Sequence, residues 1–211
     1  MSEVRIIPVR SRPEMKVFIS LPWRIYHDDP CWIPPIKSAV ARLLDPARHP
    51  FWSFAERELF IAWRGGEPVG RIVVLVDEHH NRQHQSRDAA WGFFECKRDP
   101  GAAQALFAAA GEWAVTRGMN RLRGPLNPSL NYEAGLLVQG FDRPPTLGFT
   151  YNPPYYHELV TAAGMRKEKD LLAFRFTDAF VAPAWATEVA SRVSAKEEIR
   201  IRRADKRQLA T

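Results

Sequence analysis

The sequence predicts an α/β (or α+β) fold in which helices pack on a mixed sheet. Three observations carry that prediction. "ELFIAWRGGEPVGRIVVLVD" (58–77) places two β-rich runs around a Gly-Gly turn, which reads as a hairpin. Asp99-Pro100 opens a run whose apolar residues Ala103, Leu106, Phe107, Ala110, Trp113 and Ala114 recur at the helical period, and Gly118 stops it. "RLRGPL" (121–126) then reads as a strand, so strand, helix and strand succeed one another.

The remaining elements follow in order. "VRIIPV" (4–9) is a first strand. A helix starts near Pro13, with Ser11 beside it, and Pro22 ends or kinks it. "LPWRIYHDDPCWIPP" is an ordered loop, and "SAVARLLDP" (38–46) a short helix. "DEHHNRQHQSRD" (77–88) is expected as a polar loop, and "AAWGFFEC" (89–96) as a buried strand. "NPSLNYEAGLLVQGFDRPP" is an insertion. In "YNPPYYHELVTAAGM" (151–165) Asn152 caps a helix, Pro153 starts it, and Gly164 stops it, with Met165 closing over Val160. "KDLLAFRF" (169–176) is expected as the last strand of the domain.

Of the 211 residues, 45% are hydrophobic and 26% charged, enough for a sizeable core. Residues 195–211 hold Lys196, Arg200, Arg202, Arg203, Lys206 and Arg207 against Glu197, Glu198 and Asp205, and so supply half of the net charge of +6. The body is only weakly basic, which argues against nucleic-acid binding. Cys31 and Cys96 form no CxxC pair and no metal pattern, so a reduced, cytoplasmic setting is expected. The apolar runs fall far short of the roughly 20 residues that span a bilayer. His79, His80 and His84 read as a solvated loop rather than a metal site, and Asp28-Asp29 as turn and cap acids.

"NPSLNYEAG" (127–135) gathers Asn127, Asn131 and Glu133 after a strand, where α/β sites often lie. Those side chains grip an amide or amine acceptor on one reading and only make turns on the other.

The element order, with "PYYHELVTAAGMRKEKDLLAF", resembles the GNAT acyltransferase superfamily. More narrowly, "PWRIYHDDPCWIPP", "FIAWRGGEPVGRI", "WGFFEC", "RGPLNPSLNYEAGLLVQGFD" and "YNPPYY" together resemble a bacterial GNAT-like family linked to N-acylation of lipid-like amines, as in bacterial ceramide synthesis. The resemblance covers roughly residues 4–176. It implies a mostly antiparallel, twisted sheet with helices on both faces. It also implies an acyl-CoA co-substrate, no metal, and transfer of an acyl group to a small-molecule or lipid-like amine.

Residue roles follow from that resemblance. The thioester is expected between splayed strands near "WGFFEC" and "RLRGPL". Glu95 is the candidate base for the acceptor, the alternative being a strand-end acid paired with Lys97 or Arg98. Tyr155 or Tyr156 is the candidate acid for the departing thiolate, the alternative being that both rings only pack. "ECKRDPGAAQALF" stands where the family carries a glycine-rich phosphate loop, so Cys96, Lys97, Arg98 and Gly101 are the candidate CoA contacts. The stretch departs from the family pattern: Gly101 is its lone glycine, Asp99 sits at the cap, and Pro100 removes a donor. This departure motivates the alternative of a non-catalytic GNAT-like module that supports a partner domain or binds a lipid. Residues 1–176 are expected to form the GNAT-like domain and 177–194 a linker helix. Residues 195–211 are expected to begin a second GNAT-like domain, or to form a basic tail.

Overall fold

The computed structural model describes residues 2–175, 180–195, 203 and 205. Five strands form one sheet in the order β1-β2-β3-β4-β5. They are β1 (Val4–Pro8), β2 (Ala55–Arg64), β3 (Glu67–Asp77), β4 (Asp88–Cys96) and β5 (Arg121–Arg123). The first three pairings are antiparallel, and β4–β5 is parallel. The β2–β3 hairpin turns at Gly65 and Gly66, with φ of 58° and 83°, a region open to glycine at little steric cost.

Alternation along β3 builds both faces. Ile72, Val74 and Val76 join the core under a long helix, while Val73 and Leu75 join the core on the other side. The helices are α1 (Arg12–Ser20), α2 (Pro22–Ile25), α3 (Lys37–Leu43), α4 (Glu78–His84), α5 (Pro100–Val115), α6 (Tyr156–Ala162) and α7 (Ala184–Ser194). Ala102, Ala103, Leu106, Phe107, Ala110, Trp113 and Ala114 of α5 lie on the first face, joined by Tyr156, Leu159 and Val160 of α6. Phe18 of α1 and Leu44 just after α3 lie on the second face with Phe51 and Trp52. The fold is therefore mixed α/β with a mostly antiparallel sheet.

Local signals explain these elements. Ser11 and Glu14 make a reciprocal capping box on α1. Asp99 caps α5 and Pro100 follows it, as the sequence predicts. At the end of α6, Met165 N–H reaches Val160 O (3.2 Å) and Gly164 N–H reaches Thr161 O (2.9 Å), the expected Schellman ending.

Several expectations are corrected. Residues 78–84 form α4 and not a loop, because Asp77 accepts from His80 N–H and starts the helix. Pro22 follows the end of α1 at Ser20 as expected, but it also begins α2, so Pro22–Ile25 is helix within the stretch expected as a loop. Asn152 does not cap α6. Its side chain is buried and accepts from Leu137 N–H at 2.7 Å, and α6 starts after Tyr155 with no side-chain cap. The strand expected at 121–126 ends at Arg123, and Leu126–Asn127 pairs instead with Glu133–Ala134 as a small hairpin, β6–β7. Residues 169–175 form no strand, and Phe176 lies outside the described residues. Contacts divide the chain into Met1–Lys169 and Asp170–Thr211. The strand-and-helix start expected within 195–211 lies outside the described residues, apart from Ala195, Arg203 and Asp205.

Candidate active site on the open edge of β4

β4 pairs with β5 only through Asp88–Ala90. Beyond Ala90 the two strands part, and the free edge of β4 finds other partners. Phe93 N–H donates to Asn127 Oδ1 (2.6 Å), Cys96 N–H donates to the Tyr156 hydroxyl (2.9 Å), and the Tyr155 hydroxyl donates to Cys96 O (2.9 Å). Side chains thus stand in for a missing neighbouring strand.

A bulge lies in the middle of this edge. Phe93 has φ of 49°, and the register against β3 shifts between Arg71 and Val73. The extra residue reverses the alternation: Ala89 and Trp91 face α5 before it, Phe94 and Cys96 after it. Glu95 therefore falls on the opposite face, directly across from Arg71. Gly92 is required here, since a Cβ would lie 1.8 Å from Leu126 O.

Glu95 is the centre of a buried cluster. Its Oε2 accepts from Tyr156 (2.7 Å) and from Tyr26 (2.8 Å), while Arg71 Nη2 lies 3.5 Å from Oε1. Arg71 also donates to Phe18 O at 2.7 Å. Burial raises the Glu95 pKa, opposed by Arg71 and the two phenols. Burial and the adjacent Glu95 charge push both phenols well above the ordinary tyrosine range. Tyr155, half-buried, is also raised, first by burial. Glu95 pairs with neither Lys97 nor Arg98: both are exposed, and Arg98 meets Glu158 at 3.1 Å.

The N-terminus of α5 is closed. Lys97 N–H reaches Val69 O (2.8 Å), Asp99 N–H reaches Lys97 O (2.6 Å), and Ala102 N–H is taken by the Asp99 carboxylate (3.0 Å). Arg64 grips that carboxylate with two bonds of 2.6 and 2.9 Å. A Cβ on Gly101 would meet Arg64 Nη2 at 3.1 Å. Burial pushes the Cys96 thiol up to about 12, so it is inert packing here.

The three "NPSLNYEAG" candidates separate. Asn127 supports the bulge, and its amide meets Glu133 Oε2 at 3.3 Å. Asn131 instead lines a cavity of about 450 Å³ beside Asp88–Ala90. Tyr26 and Arg71 were missed in the sequence, because nothing local links them to Glu95. Among the described residues, no cluster suited to a metal ion occurs, and no helix is long and apolar enough to cross a membrane.

No protein-family model matches the chain. The chain is 38% identical over 175 residues to a protein named bacterial ceramide synthase from Caulobacter vibrioides, covering 82% of this chain and 46% of that one. It is 32% identical over 176 residues to protein YghO from Escherichia coli, covering 82% and 45%. An aminoglycoside acetyltransferase from an uncultured soil sample, crystallised with sisomicin, aligns at a TM-score of 0.49 and 14% identity, over 82% of this chain and 95% of that one. The matched stretch spans less than half the length of each of the two curated relatives. Beyond Ala90, β4 lacks the β5 pairing, and within "CKRDPG" the Asp99 carboxylate takes the Ala102 N–H at the start of α5.

Proposed function

We propose that the chain is one GNAT unit of an acyl-CoA-dependent N-acyltransferase acting on a lipid-like amine. The observation that carries this reading is the carboxylate–phenol contact of 2.7 Å between Glu95 and Tyr156 at the parted edge of β4. A base and an acid touch where two parallel strands separate. The similarity to a protein named bacterial ceramide synthase supports the lipid-like acceptor.

In this reading the acceptor enters past Glu133 and Asn127. The nitrogen attacks the thioester carbonyl, and Glu95 takes the proton shed as the C–N bond forms. Tyr156 gives its proton to the thiolate as the C–S bond breaks. The proton on Glu95 then returns to the phenolate across their contact, so both groups are restored. Burial, which raises the Glu95 pKa, suits a carboxylate that must hold a proton briefly.

A second reading has its own observation. The amides at the start of α5 are taken by Asp99 and neighbouring carbonyls, and Arg64 fixes Asp99 in place. A phosphate finds a carboxylate there. On this reading the unit holds no CoA and supports a second GNAT-like unit in a longer protein. Calorimetric titration with acetyl-CoA and with long-chain acyl-CoA separates the two. Saturable heat with any chain length supports the acyltransferase unit, and silence with all of them removes CoA from this unit.

A further inference from the structure

The cavity of about 450 Å³ lies at the opposite end of β4 from Glu95, and none of Glu95, Tyr26, Arg71 and Tyr156 lines it. Its wall comes from the Pro50–Ser53 turn, the end of β3, α4, the start of β4 and the loop after β6. Much of the wall is apolar: Phe51, Phe54, Leu75, Ala90, Leu126 and Leu130 all line it. A volume of this size is in the range of small-molecule sites.

Of the charged groups on the wall, Asp88 is paired with Arg123 and lies 3.5 Å from His80, and it is backed by Arg121 and Glu168 from outside the wall. Arg121 grips Asp88 with bonds of 2.8 and 2.6 Å, and Arg123 lies 3.4 Å from the same carboxylate. Both arginines also lie 3.9 Å from Glu168. Arg123 further donates toward His80 Nε2 at 3.0 Å. Two guanidiniums are thus answered by two carboxylates. Asp77 is different. One oxygen, Oδ1, accepts from His80 N–H, and the other has no hydrogen-bond or ion-pair partner among the described residues. The ring of Phe54, stacked on His79 at 4.0 Å, lies in the same wall, as does Tyr132. A carboxylate with a spare oxygen, aromatic faces and aliphatic walls complement a cation that carries an apolar body.

We propose that this cavity is a binding site for an alkylammonium ligand, with the ammonium on the Asp77 carboxylate and the chain against Phe51, Phe54, Leu75 and Leu126. The ligand uses the carboxylate and the ring faces, not the N–H groups of α4. Arg123 does not attract an anion in its place, because Asp88, Glu168 and His80 already occupy it. The site is separate from Glu95: silence in the acyl-CoA titration leaves it standing, and an amine preference that survives Asp77→Asn removes it without touching the acyltransferase reading.

The test titrates the chain with decylamine, decanol and decanoate, followed calorimetrically below their micellar concentrations. Decylamine is expected to bind saturably and at least tenfold tighter than decanoate. Asp77→Asn keeps the oxygen that starts α4 and removes the charge, so it should abolish that preference without changing the thermal midpoint. Leu130→Lys, at an exposed position on the rim, should weaken decylamine at least tenfold. Absence of decylamine binding, equal binding of decanoate, or an amine preference that survives Asp77→Asn would each overturn the proposal.

Discussion

Tyr26 and Tyr156 both donate to the same carboxylate oxygen, and they arrive from segments far apart in the chain. Glu95 is held between them and Arg71, which leaves its charge compensated although its side chain is only 15% exposed. Removing one phenol tests the chemistry directly. Tyr156→Phe is expected to lower acyl transfer by about two to four orders of magnitude if the phenol supplies the proton. It also leaves Cys96 N–H without its partner, at a cost of about 1–3 kcal/mol, so urea unfolding should accompany the rate measurement. Unchanged turnover would assign Tyr156 to packing. Asp88 gives a second prediction with a definite pH sign. The Arg121 guanidinium, first among its partners, holds the Asp88 carboxyl down at about 2 from 3.8. A depressed acid contributes stability above its unfolded pKa and loses it as pH falls toward the folded value. Asp88→Asn should therefore lose about 2 kcal/mol at pH 7, and the deficit should shrink in urea titrations as pH falls below about 4. Glu95, raised by burial, has the opposite sign: it favours the fold at low pH, and that contribution is lost as pH rises through its raised pKa.

The bulge in β4 decides which face receives Glu95. Without it, strict alternation would put Glu95 with Ala89 and Trp91 against α5. The bulge depends on close backbone approach, since Gly92 meets Leu126 O and a Cβ on Gly124 would lie 2.3 Å from Trp91 O. Gly92→Ala is expected to destabilise the protein by more than about 3 kcal/mol, a size reserved for changes that force the backbone apart. A thermal or urea unfolding curve within 1 kcal/mol of the parent, roughly the error of such comparisons, would contradict the role given to the bulge. At this scale the sequence was informative but incomplete. The hairpin, α1 and α5 were legible because turn glycines, Pro13 beside Ser11 and a 3.6-residue period are local. α4 was not, because its residues are polar throughout and only Asp77 marks its start. The start of α6 was misread because Asn152 is drawn away by Leu137, a partner 15 residues distant.

For the whole molecule, the contacts separate Met1–Lys169 from the rest of the chain. Arg166, Lys169 and Arg175 are exposed and lie outside helices and strands. Brief trypsin digestion is expected to cut there first and to leave a resistant fragment ending near Lys169. Early cleavage within β2–β4 would contradict this division. Because the matched stretch covers less than half of each curated relative, such a fragment has a use: it isolates the unit on which the acyl-CoA titration can be repeated.

The sequence alone determined the class of fold, the hairpin, the long helix with its Asp-Pro start and the glycine-stopped helix after "YNPPYY". Each rests on interactions within a few residues of one another. It also exposed the departure of "ECKRDPG" from the glycine-rich loop that the resemblance implies, since Asp99 and Pro100 are visible in one line of text. Only the tertiary structure decided that Glu95 faces Arg71, Tyr26 and Tyr156, that Asn127 braces the bulge while Asn131 belongs to a separate cavity, and that Asp77 keeps an uncommitted oxygen there. Those facts depend on a one-residue change of strand parity and on contacts between residues tens of positions apart, which no local pattern encodes.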